Sequence, residues 1–95
     1  MQLENDSNII SIKGNISSVT EFEAIKQNLE TMRTQHKNLV LKIYDSLVIN
    51  SSLIGYLVKI VNQDGIHINL QAGNAILYEL LDDLGLAKTL NLQKL

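Results

Sequence analysis

The chain has 95 residues, 45% of them hydrophobic and 19% charged, with a formal net charge of -2 and no cysteine. That length holds one domain, residues 1–95, with a single modest core, and the composition belongs to a folding chain rather than a disordered one. Disulfides and thiolate zinc sites are excluded, no basic patch offers itself to nucleic acid, and no run approaches the roughly 18 apolar residues of a membrane span. No segment pairs a basic face with an apolar one, and "MQLENDSNII" lacks the basic start and apolar run of a secretory leader. The expected location is therefore cytoplasmic, without direct membrane insertion.

Residues 2–5 and 9–13 read as strands joined by a turn at Asp6, Ser7 and Asn8. Gly14 and Asn15 break the chain. From Val19 the apolar residues recur at helical spacing, Val19, Phe22, Ile25, Leu29 and Met32, and Ser18 with Glu21 offers a capping box, so a helix is expected over about residues 18–35. "NLVLKIY" follows as a strand and Asp45 and Ser46 turn it. A helix beginning near Ser51 stops at "QDG", and "IHINLQ" alternates cleanly, Ile66, Ile68 and Leu70 against His67, Asn69 and Gln71. Asn74 caps a third helix carrying Ile76, Leu77, Leu80, Leu81 and Leu84, which Gly85 ends as a left-handed cap. A closing strand is expected at about residues 89–92.

This order predicts an α/β fold: a small mixed, largely parallel sheet of four to five strands with three helices packed mainly on one face. The opposite face then carries Ser11, Lys13, Lys42, His67, Asn69 and Gln71.

Chemistry-bearing patterns are missing. Neither GxGxxG nor GxxxxGK[ST] is present, His36 and His67 read as solvated, and Asp82 and Asp83, being adjacent on a helix, point about 100° apart and form no acid/base pair. No serine has a signalled base. The expectation is a non-enzyme with no metal and no cofactor; a small enzyme or nucleotide binder is the minority alternative.

The stretch "LVINSSLIGYLVKIV" interrupts apolar material with Asn50, Ser51 and Ser52. Asn50 is a strong cap residue with Ser51 as the first helical residue. On a helical wheel Ile54, Leu57, Val58 and Val61 form the centre of the apolar arc, bordered by Leu53 and Ile60, with Tyr56 just beyond. That arc is about 160° wide against the roughly 100° a surface helix needs. The excess motivates a partner surface at Ser51, Ser52, Leu53, Tyr56 and Ile60, with Asn50 beside it.

A strand, a turn, an aliphatic pair, Asn-Ser-Ser, a Gly four residues after the first Ser and a helix ending in "DG" together resemble the STAS domain of anti-sigma-factor antagonists. "IISIKGNI" is similar to that family's opening strand and glycine, "LVLKIYDSLVI" to its central strand, and "AILYELLDDLGLAKTLNL" to its last helix, Leu-x-x-x-Gly-Leu corner and closing strand. The likeness spans about residues 8–92. Asn50 stands where the family pattern Asp-Ser-Ser-Gly has Asp, and Leu53 where it has Gly. The resemblance implies a protein-binding regulatory module, with Ser51 as a phosphorylation position and a serine-kinase-type anti-sigma factor as partner, acting as a monomer or weak homodimer. The alternative it implies is a STAS subunit docking on the subunits of a lipid-type ABC transporter without phosphorylation.

Overall fold

The computed structural model, which describes residues 1–95, contains in chain order Gln2–Asp6 (β1), Ile9–Lys13 (β2), Val19–Met32 (α1), Asn38–Ile43 (β3), Ser51–Asn62 (α2), His67–Ala72 (β4), Ala75–Asp83 (α3) and Gln93–Lys94 (β5). The five strands form one sheet in the order β1-β2-β3-β4-β5, with β1 antiparallel to β2 and the remaining pairs parallel. This is the mixed, largely parallel α/β layer that the pattern of alternation implies. Because the order advances by one strand at each step, right-handed crossovers bring all three helices to one face.

Burial follows that geometry. Ile10 and Ile12 of β2, Leu39, Leu41 and Ile43 of β3, and Ile68, Leu70 and Ala72 of β4 are buried beneath the helices, while the residues between them are not. From the helices, Ile25, Leu29 and Met32, then Leu53, Tyr56, Leu57 and Ile60, then Leu77 and Leu81 close the same core.

The helix ends are set by local chemistry. Ser18 caps α1 in a full capping box: Glu21 N–H donates to Ser18 Oγ at 3.2 Å and Ser18 N–H donates to Glu21 Oε1 at 3.1 Å. The Ser17 and Ser18 N–H groups hold the Glu21 carboxyl below its ordinary range. A carboxyl lowered on folding adds stability that is present above its unfolded pKa and is lost as pH falls through the folded one, so this cap weakens in acid. At the end of α3, Gly85 with φ 77° lets Gly85 N–H reach Asp82 O at 2.9 Å and Leu86 N–H reach Leu81 O at 3.1 Å, a Schellman closure.

Two boundaries differ from expectation by more than one residue. The first helix ends at Met32, with residues 33–35 forming a turn, rather than running to 35. The closing strand is Gln93–Lys94, not residues 89–92. There the chain winds instead, Leu90 N–H donating to Leu86 O and Leu92 N–H to Ala87 O, which buries Leu90 and Leu92 from a coil of turns. Asn91, in the left-handed region at φ 46°, locks this turn by donating from Nδ2 to Ile68 O at 2.8 Å. The apolar spacing at Leu90 and Leu92 suits a strand and this turn equally well.

Candidate functional site

The loops that leave β2, β3 and β4 meet at the end of the sheet where the parallel strands finish. The β3–α2 loop, residues 44–50, is held from both sides. From the β2–α1 loop, Gly14 N–H donates to Asp45 Oδ1 at 2.7 Å, and Ile16 N–H donates to Ser46 Oγ at 3.1 Å. Asn15 Oδ1 accepts the Leu47 N–H at 3.1 Å. From the β4–α3 turn, Asn74 Nδ2 donates to Ser46 O at 2.9 Å while its Oδ1 accepts the Leu77 N–H that caps α3.

Ser46 is the one fully buried polar residue, and its hydroxyl donates in turn to Val48 O. The loop is thereby a rigid platform rather than a loose connection, and it leaves the Leu47 and Val48 side chains in solvent. Its anchors, Asn15, Asp45, Ser46 and Asn74, went unseen as a group in the sequence. Each reads there as an ordinary turn or cap residue, and only the sheet order brings them together.

The platform delivers Asn50 at the start of α2. Asn50 is the N-cap with extended backbone, and its Oδ1 accepts the Ser52 N–H at 2.7 Å. Ser51 and Ser52 follow as exposed residues of the first turn, which carries no acidic side chain. The positive end of the helix dipole is therefore open to an anion at Ser51.

The remaining residues expected on a partner surface lie elsewhere. Leu53, Tyr56 and Ile60 are 0%, 9% and 1% exposed and belong to the core, so they form no docking surface. The buried face of α2, centred between Leu53 and Ile60, is turned by about 70° from the centre of its apolar arc. Tyr56 is the cause: its ring packs toward α1, where Lys26 Nζ lies 5.8 Å from the ring centroid and where Glu30 and Arg33 also approach. Arg33 in turn binds Asp64 beyond the end of α2 at 2.9 Å, fixing the two helices together. The surplus width of the arc emerges on the other flank, at Ile54, Val58 and Val61, which are half-buried.

The Tyr56 hydroxyl is buried without a hydrogen-bond partner. Burial first, and the neighbouring Glu30 carboxylate second, push its pKa up to about 12. Tyr56→Phe removes an unpaired polar atom and keeps the ring, so its urea midpoint is expected to stay level or to rise by the equivalent of up to about 1 kcal/mol. A fall larger than that would mean that the hydroxyl is bonded in solution.

The uncovered face of the sheet presents Ser11, Lys13, Lys42, His67, Asn69 and Gln71, as the alternation implied. Its amides largely satisfy one another: Gln71 Nε2 donates to Asn69 Oδ1 at 2.8 Å, and Asn69 Nδ2 donates to Asn91 O at 2.7 Å. A shallow depression between Asn38, Val40, His67 and Gln93 lies beside them. No group of three or more His, Cys, Asp or Glu side chains is placed to hold a metal ion, and no helix is long and apolar enough to cross a membrane. Neither family models, nor curated proteins, nor solved structures gave a match to this chain.

Proposed function

We propose that the chain is a non-catalytic, cytoplasmic protein-binding regulatory module of the partner-switching kind, resembling a STAS-domain anti-sigma-factor antagonist, with Ser51 as its switch residue. The observation that carries this reading is the position of Ser51. It is exposed in the first turn of α2, on a loop tied to both neighbouring loops, where a modification changes the surface without entering the core. A phosphate there adds about -1.5 to -2 charges, which the helix N-terminus tolerates by roughly 0.3 to 1 kcal/mol. Its effect falls on a docked partner, through charge and desolvation at the contact.

The partner in this reading is a serine-kinase-type anti-sigma factor. It meets Asn50, Ser51 and Ser52 together with the exposed Leu47 and Val48, which replace the buried Leu53, Tyr56 and Ile60. Incubation with that kinase and ATP is expected to add about 80 Da to the intact mass, a shift that Ser51→Ala abolishes, and to weaken the complex about 10- to 100-fold with an unchanged circular dichroism spectrum. A complete reaction on the kinase's own substrate with no mass shift on this chain would sink the switch.

A further inference from the structure

The helix layer carries an apolar seam that the fold covers only in part, half-buried on its α2 side and exposed on its α3 side. α1 packs on α2, whereas α3 rests on β4 and β5. Around α2, at about 100° per residue, Tyr56 faces α1, Leu53, Leu57 and Ile60 enter the core, and Ile54 and Val61 come out on the far flank with Val58 beyond them. Around α3, Tyr78 turns toward β5, where Lys94 Nζ lies 5.2 Å from its ring, and Leu77 and Leu81 enter the core. Ile76, Leu80 and the cap residue Leu84 emerge on the opposite flank, 59%, 38% and 54% exposed. The strand order places α2 between α1 and α3, so the half-buried flank of α2 and the exposed flank of α3 are on facing sides of the two helices.

The charges beside the seam are of one sign. α3 carries Glu79, Asp82 and Asp83 and no basic residue, and Glu79 and Asp83 lie next to the Ile76–Leu80 stripe on its solvent side. The matching ridge of α2, Ser51, Gly55 and Asn62, is uncharged.

We propose that the seam between α2 and α3 is a docking site for an amphipathic helix of a partner protein, one whose apolar stripe is flanked by Lys or Arg on the α3 side. This rests on the reading of the chain as a binding module and names the chemistry of the element it takes. A helix laid between two helices buries the three α3 aliphatics in the usual helix-in-groove manner, and opposite charge at the rim sets its orientation and speeds its encounter. A second copy supplies no such helix: α1 sets three Glu against one Lys, α2 has a single Lys, and α3 is purely acidic. An anionic membrane would meet the acidic rim with like charge.

The test uses two fluorescein-labelled helical peptides of about 18 residues, long enough to hold helix, with the same Leu stripe, one flanked by Lys and its twin by Glu. Fluorescence anisotropy at low salt is expected to show the Lys peptide binding at least about tenfold more tightly than the Glu twin, and Leu80→Ser, at an exposed site, losing at least about tenfold of that affinity. Glu79→Lys with Asp83→Lys should move the preference toward the Glu twin, and thermal melts confirm that both variants fold. Equal binding of the twins, no binding, or binding indifferent to Leu80→Ser overturns the assignment. So does sedimentation of a dimer that Leu80→Ser dissolves, or tighter association with phosphatidylserine vesicles than with the Lys peptide. The Ser51 mass shift is read separately, so failure of the switch and failure of the seam are told apart.

Discussion

Gly73→Ala is expected to lower stability by at least about 3 kcal/mol, because the added methyl group has nowhere to go. The β4–α3 turn passes directly over the end of β3, with Gly73 N–H bonded to Ile43 O at 2.7 Å. A Cβ at Gly73 would overlap the Tyr44 carbonyl group and lie 2.8 Å from Tyr44 Cα. The obstacle is backbone at the root of the 44–50 platform, so no side-chain rotation relieves it. For a domain of this length the loss corresponds to a fall of roughly 10–25 °C in Tm. Gly55→Ala is the control within the same chain: a Cβ there meets nothing within 4 Å. Being in mid-helix, that substitution should raise stability by about 0.5–1 kcal/mol. A calorimeter that ranks the two variants the other way would show that the turn does not sit against β3 in solution.

Leu53→Ala is the second large effect, a loss of about 2–5 kcal/mol in urea unfolding, as for other fully buried leucines. Leu53→Asp, which buries an unpaired carboxylate, is expected to leave no folded protein at room temperature. The exposed neighbours behave differently: Ser52→Ala and Val48→Ser should stay within about 0.5 kcal/mol of the parent. The contrast bears on any binding experiment. Partner loss caused by Leu53→Asp would report unfolding, whereas loss caused by Val48→Ser would report contact. If Leu53→Ala melts with the parent, α2 is rotated in solution toward the face that hydropathy alone would bury.

Most of the fold was legible in the sequence because its strands alternate in the period of a pleated sheet and its helices carry their own signals. Ser18 and Glu21, Asn50, Asn74 and Gly85 each act within a few residues of themselves, and each does in the structure what local chemistry implies. What escaped depends on partners far along the chain. The rotation of α2 is decided by Tyr56 against Lys26, Glu30 and Arg33, and the short closing strand by Asn91 against Ile68.

The candidate site divides in the same way. Asn50, Ser51 and Ser52 are local to a helix start and were visible, while the clamp of Asn15, Asp45, Ser46 and Asn74 draws on three loops and was not. On α3 the apolar spacing runs through Ile76, Leu77, Leu80, Leu81 and Leu84 alike, yet only Leu77 and Leu81 are buried. Spacing reports that a helix has an apolar face; the neighbouring elements decide which part of it is covered.

The strand order has one more consequence, for the way the molecule assembles. Each strand is hydrogen-bonded only to those immediately before and after it in the chain, so no strand must be threaded between two already in place. A polypeptide leaving the ribosome can add the layer one unit at a time, beginning from the β1–β2 hairpin. At every stage the growing edge is the side on which the next strand will arrive, and the interval during which that edge stands unpaired, when misassociation is easiest, lasts only for the synthesis of one helix and one strand.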